Sequence, residues 1–135
     1  MKRKIEILIP IMLALTYIVY ILYKNEYVYE KYFKEYVIVK CIITSKAVNK
    51  NYEQTIQYKY KIDGYVYQAS YATDIQVNID VGNKCYCVCS KEDVHYNIFL
   101  PVHNIDKANS VTNDSEKMKK YLSKTQKARY LSRNN

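Results

Sequence analysis

The sequence predicts a single N-terminal transmembrane α-helix, then a small and mostly antiparallel β domain, and last a basic C-terminal tail that is helical or disordered. Three observations predict this order: an uncharged apolar stretch near the N-terminus, apolar and polar residues that alternate on both sides of an Asp-Gly pair, and lysines concentrated towards the C-terminus. A length of 135 residues suits about one domain. For the β domain we expect a meander of about five strands, arranged as a sandwich or a barrel.

The membrane helix is predicted over residues 5–23, behind a basic flank at residues 1–4. No residue from Ile7 to Tyr23 is charged, and at ~1.5 Å per residue this stretch spans roughly 26 Å as a helix, close to the ~30 Å hydrocarbon core of a bilayer. A cleaved secretory signal begins in the same way, but no A-x-A-like pair of small residues follows this apolar run. We therefore expect an uncleaved anchor, with the lipid bilayer as the partner of residues 5–23.

The charges beside the helix predict its orientation. Three basic residues and the terminal amine precede the helix, whereas the juxtamembrane stalk at residues 24–35 holds three lysines. By the positive-inside rule, we expect the N-terminus in the cytoplasm and the β domain outside it. Within the stalk, Glu30 and Lys34 stand four residues apart in the order that stabilises a helix, so the membrane helix is expected to continue before it breaks.

The β domain is predicted over residues 36–106 and begins with Tyr36–Ser45, whose β-branched residues indicate an inner strand. Thr55–Ile62 alternates between apolar and polar residues and leads into the two-residue turn Asp63-Gly64. This turn sets Ile62 opposite Tyr65, so the aromatic rings of both strands share one face. One side of the hairpin is expected to meet a core and the other water. A candidate interaction surface is formed by Tyr58, Tyr60, Tyr65, Tyr67 and Tyr71.

A second hairpin is predicted from residues 74–81 and Lys84–Ser90, because apolar residues alternate on both sides of Gly82-Asn83. If these two residues form a tight turn, Ile79 lies opposite Tyr86. The last predicted strand is Asn97–Leu100.

Two stretches resemble a known family. Tyr58–Tyr67 follows the pattern Y-x-Y-x-(I/V)-x-G-x-x-Y, and Val81–Lys84 leads into a strand that continues through Val88. With the preceding apolar helix, they resemble a widespread bacterial family of small membrane-anchored β domains of unknown function. The chain departs from the family in Ser90–His95, where the family's Y-x-P-x-x-P segment has no counterpart. The resemblance implies a membrane-anchored β fold, and it implies no activity or site residues.

Four cysteines are the sharpest chemical feature. Cys85, Cys87 and Cys89 form C-x-C-x-C and project from one face of a strand. Structural zinc sites favour C-x-x-C spacing, and here Cys41 and His95 would have to complete a ligand set. We favour cysteine as a small apolar residue, with a thiol or metal-binding module as the alternative. Outside the cytoplasm, Cys41 and one of the three can form a cross-strand disulfide.

The tail at residues 107–135 carries eight basic and two acidic residues, a net charge of +6. A helix is predicted over residues 115–131, capped by Asp114 or Ser115. Such a helix can lie on an anionic membrane, and a solvated tail without a ligand is the alternative. The candidate contacts to anionic lipid are Lys117, Lys120, Lys124, Lys127 and Arg129.

The composition excludes several functional classes. With 2 glycines, neither a G-x-G-x-x-G dinucleotide loop nor a phosphate loop is present, and the 2 histidines have no catalytic motif around them. Residues 24–106 carry ten basic and ten acidic residues, so no basic face for nucleic acid is indicated. We expect a non-enzymatic binding or structural module at the bacterial cell envelope, with an unknown protein or envelope partner and no cofactor.

Overall fold

A computed structural model of the chain describes residues 2–74 and 77–133. The elements in chain order are α1 (Lys2–Tyr32), β1 (Tyr36–Val48), β2 (Gln54–Ile62), β3 (Tyr65–Thr73), β4 (Lys84–Ser90), β5 (Asn97–Leu100), α2 (Ile105–Thr112), α3 (Ser115–Leu122) and β6 (Arg129–Arg133). The strands form one curled antiparallel sheet in the order β5-β4-β1-β2-β3-β6. This confirms the predicted fold class, an apolar N-terminal helix followed by a small antiparallel β domain.

Helix α1 continues into the predicted stalk at residues 24–35 and ends within it, at Tyr32. Every residue from Arg3 to Tyr20 is exposed, and the helix is long and apolar enough to cross a membrane. Beyond that stretch, one side of α1 is half-buried against the β domain, at the helical spacing that keeps contacts on one face. This contact stripe consists of Ile21, Asn25, Val28, Tyr29 and Tyr32.

Helix α1 ends at Tyr32 although neither glycine nor proline follows it there. Side-chain packing explains this end of the helix. The Phe33 N–H donates to the Tyr29 carbonyl at 2.9 Å and closes the last turn. The Phe33 side chain, 1% exposed, then enters the core. The Glu35 carbonyl accepts from the Lys91 N–H at 3.1 Å, which brings the chain to its place beside β4.

The β2–β3 hairpin has the register that the Asp-Gly turn predicts. Ile62 lies opposite Tyr65, and Tyr60 lies opposite Tyr67. Asp63 and Gly64 both have positive φ, 51° and 84°, as a two-residue turn of type I′ requires. The expectation of an inner first strand is also confirmed, because β1 pairs with β2 on one edge and with β4 on the other.

The second predicted hairpin is wrong. Residues 77–80 form no strand, and β4 pairs with β1, so that Tyr86 lies opposite Lys40 rather than opposite Ile79. Two further residues of the predicted strand, Ile75 and Gln76, lie outside the described residues.

The physical reason lies at the turn. The Gly82 N–H donates to the Ile43 carbonyl at 2.8 Å, and the Ile43 N–H donates to the Asn83 carbonyl at 3.0 Å, so the turn itself is bonded to β1. A separate hairpin would leave β1 with an unpaired edge, whereas this arrangement pairs both of its edges. Ile79, 1% exposed, reaches the core from an irregular segment.

The sheet buries side chains on both faces. Its inner face carries the tyrosines of β2 and β3 and the cysteines of β1 and β4 in one cluster. Its outer face, along β4 and β5, packs against the end of α1 and against α2 and α3. Strand β4 belongs to both clusters, because the adjacent residues Cys87 and Val88 point to opposite faces and are each 0% exposed.

The tail is part of the β domain. Asp114 caps α3, as predicted, but the predicted helix over residues 115–131 ends at Leu122, and Arg129–Arg133 forms β6 on the edge of β3. The tail is therefore neither one long helix nor solvated as a whole, and residue 106 lies within α2. The segment 124–128 lies between β3 and β5 and closes the curled sheet.

Main-chain hydrogen bonds explain why the helix stops. The Ala72 N–H donates to the Lys124 carbonyl at 2.9 Å, the Gln126 N–H to the Ser70 carbonyl at 2.8 Å, and the Ala128 N–H to the His95 carbonyl at 2.7 Å. These bonds, two to β3 and one to the turn before β5, replace the bonds that a longer helix would make.

Candidate functional site

The tyrosines proposed as an interaction surface are core residues. Tyr58, Tyr60, Tyr67 and Tyr71 are at most 7% exposed, and of this set only Tyr65, at 37%, reaches solvent substantially. The Tyr58 hydroxyl donates to Asn97 Oδ1, and the Tyr60 hydroxyl donates to the Val94 carbonyl at 2.7 Å. Burial raises the pKa of Tyr58 well above its usual value. These rings therefore fill the inner face of the sheet, and the predicted interaction surface is corrected to a core.

The four cysteines lie together on the same inner face. Cys41 is directly opposite Cys85 in the β1–β4 ladder, and Cys87 Sγ lies 3.8 Å from Cys89 Sγ. All four thiols are free and buried. Burial raises the pKa of Cys85 to about 12 and the pKa of Cys87 well above its usual value. Thiols of this kind are poor nucleophiles because little thiolate forms.

The histidines do not assemble a ligand set with these thiols. His95 Nδ1 lies 3.1 Å from the Ala128 carbonyl, and His103 Nδ1 lies 4.0 Å from Cys85 Sγ and 3.1 Å from the Lys84 carbonyl. Within residues 2–74 and 77–133, no three His, Cys, Asp or Glu side chains converge in a way that could hold a metal ion. The arrangement favours cysteine as a core residue.

The basic residues proposed as lipid contacts are spread over several surfaces. Lys117 is exposed on α3, and Arg129 is exposed on the edge strand β6. Lys124 pairs with Asp74, Nζ to Oδ1 3.7 Å. Lys127 places Nζ 4.9 Å from the centre of the Tyr96 ring. The structure therefore does not assemble the predicted set as one helical face.

A different group of residues meets where α1 contacts the C-terminal part of the domain. Lys119 Nζ lies 3.9 Å from Glu26 Oε1 and 5.4 Å from the centre of the Tyr29 ring. The Tyr32 and Tyr96 rings stack with their centres 3.9 Å apart. These contacts attach the β domain to one side of α1.

Two grooves flank this contact. The first groove has a volume of about 490 Å³ and runs between α1 and the segment after α3; its walls include Ile21, Lys24, Val28, Leu122 and Lys127. The second groove, about 470 Å³, runs between α1 and α3 and contains Glu26 and Glu116 beside Lys119 and Lys120.

Lys24 and Lys119 were not among the predicted site residues. Lys24 was detectable, because it is the first charge after the apolar run. Lys119 was not, because its contact with Glu26 depends on how the tail folds back onto α1.

Comparison with known proteins adds no assignment: no family model matches the chain, and neither the curated proteins nor the solved structures give a significant match.

Proposed function

We propose that this chain is a single-pass membrane protein that holds a non-enzymatic β domain against the bilayer surface, as a binding or structural module of the bacterial cell envelope. The observation that carries the proposal is the change in exposure along α1. Residues Arg3 to Tyr20 are apolar over most of their length and all exposed, whereas the contact stripe begins at Ile21. A helix that is apolar on all sides and does not pack against other elements needs an apolar environment.

The lengths agree with this proposal. A bilayer core of ~30 Å takes about 20 helical residues, and that number of residues ends where the domain contacts begin. Tyr17, Tyr20, Tyr23 and Tyr27 supply rings at this end of the helix, as is common at membrane interfaces.

The contact with α1 also supports an uncleaved anchor. Tyr32 and Phe33 are integrated in the outer core, and α1 is one continuous helix from Lys2 to Tyr32. A domain held in this way stays within a few ångströms of the membrane surface. For the orientation, we propose a cytoplasmic N-terminus and an extracytoplasmic domain, supported by the basic flank.

The orientation is tested with one added cysteine. Asn51 lies in the exposed loop between β1 and β2, and the native thiols are buried, so Asn51→Cys provides a reactive thiol above a low background. We expect a membrane-impermeant maleimide to label this variant in intact cells whose outer layer is permeable to the reagent. Labelling only after lysis would refute the extracytoplasmic placement. Release of the protein by alkaline carbonate would refute the membrane anchor itself.

A further inference from the structure

The two grooves beside α1 differ in charge. In the second groove, Lys119 is neutralised by two carboxylates, at 3.9 Å from Glu26 and 3.8 Å from Glu116. None of the described side chains that line the first groove is acidic. In the described part of the chain, neither Lys24 nor Lys127 forms an ion pair. The first groove therefore combines two unpaired ammonium groups.

The side chain of Lys127 is directed by its surroundings. Its Nζ lies over the Tyr96 ring, and Tyr96 in turn stacks on Tyr32 of α1. A cation held over an aromatic face keeps its charge and its hydrogen-bond donors available on the side away from the ring. Lys24 is exposed on the opposite wall of the groove.

The apolar walls of the same groove are Ile21, Val28 and Leu122. If α1 spans the bilayer, Ile21 lies about 4.5 Å below Lys24 along the helix axis and Val28 about 6 Å above it. The groove then crosses the headgroup layer, which is roughly 5–8 Å thick on each side of a bilayer. Ile21 then lies at the level of the first part of the acyl chains, and Lys24 lies at the level of the phosphates.

We propose that the first groove binds one anionic glycerophospholipid of the surrounding leaflet. The phosphate lies between Lys24 and Lys127, and the start of an acyl chain lies along Ile21. A volume of about 490 Å³ accommodates a headgroup with the first part of its chains. This inference rests on the proposed membrane span, and it assigns the groove a ligand class that the topology alone does not require.

The test uses the full chain in nanodiscs made of equimolar phosphatidylglycerol and phosphatidylcholine. Native mass spectrometry of the released protein measures the ratio of the two lipids that stay bound. We expect wild-type protein to retain phosphatidylglycerol preferentially. In Lys24→Gln/Lys127→Gln we expect this preference to fall about 25-fold, because each basic residue at an anionic surface contributes about a fivefold preference. The control Lys50→Gln/Lys59→Gln removes the same charge from exposed positions outside the groove and should behave as wild type.

Three results would overturn the proposal: equal retention of both lipids by wild type, an unchanged preference in the groove variant, or an equal loss in the control. Carbonate extraction of the same proteins distinguishes a failure of the lipid-site proposal from a failure of the proposed membrane span. Protein that stays in the membrane without a lipid preference overturns only the lipid site, whereas protein released by carbonate overturns the membrane span as well.

Discussion

Thr125 is the residue through which the tail closes the sheet, and its hydroxyl group can be removed with little change in shape. Thr125 Oγ1 accepts from the Phe99 N–H at 3.1 Å and donates to the Tyr121 carbonyl at 2.8 Å. Phe99 is 0% exposed, so in Thr125→Val its N–H loses a partner that water cannot replace. An unsatisfied buried donor costs about 1–3 kcal/mol, which lowers the melting temperature of a small domain by roughly 5–20 °C.

The matched control is Thr125→Ser, which keeps the hydroxyl and loses only a methyl group. We expect it to melt within a few degrees of wild type, since Thr125 is only half-buried and a methyl there contributes about 0.5–1 kcal/mol or less. Circular dichroism of the detergent-solubilised chain measures all three proteins. If Thr125→Val melts at or above Thr125→Ser, the hydroxyl does not close the sheet and the reasoning is refuted.

Three further predictions concern the cores. Burial raises the pKa of Cys85 to about 12, so at pH 8 its reaction with a soluble maleimide should be roughly 10³-fold slower than that of an ordinary thiol and become fast on unfolding; rapid labelling of the native protein would contradict this. Burial also raises the pKa of Tyr58, so stability should be complete below about pH 9 and fall as the pH rises through about 10, where the tyrosine of the unfolded chain ionises first; a constant melting temperature from pH 8 to 11 would be the opposing result. Phe33→Ala should cost about 3–5 kcal/mol in unfolding free energy, whereas Tyr27→Ala, at a position 52% exposed, should cost far less; equal losses would mean that α1 does not pack on the domain.

Local signals in the sequence were sufficient for several elements. The Asp63-Gly64 turn specified its hairpin because both residues tolerate positive φ, and a two-residue turn leaves one register. The apolar run specified α1, and Asp114 specified the start of α3. The C-x-C-x-C spacing correctly placed three thiols on one face, since side chains alternate along any strand.

The wrong predictions all concern the spatial neighbours of an element. The alternation around Gly82 predicted a hairpin, but it carries no information about the free edge of β1, which β4 takes instead. The tyrosine face of β2 and β3 was identified correctly as one face. Its burial depends on Phe99 of β5 and on the segment 124–128, which cover it from distant parts of the chain.

The first groove was beyond sequence reasoning for the same reason. Lys24 and Lys127 lie at opposite ends of the chain, and only the return of the tail to α1 brings them to one surface. The sequence of the tail lacks a strong strand pattern. Its extended conformation after α3 depends on main-chain hydrogen bonds to β3 and to His95, which lie far away in the sequence.

The central claim, that α1 spans a bilayer and the domain begins at its surface, is tested most directly by comparing two cysteine variants in reconstituted liposomes. Leu13 and Tyr27 are 66% and 52% exposed on α1, so burial within the protein does not distinguish the two positions. With liposomes in which the domain faces outward, we predict that an aqueous maleimide labels Tyr27→Cys rapidly and leaves Leu13→Cys unlabelled until detergent is added. Equal labelling of both in intact liposomes would contradict the account.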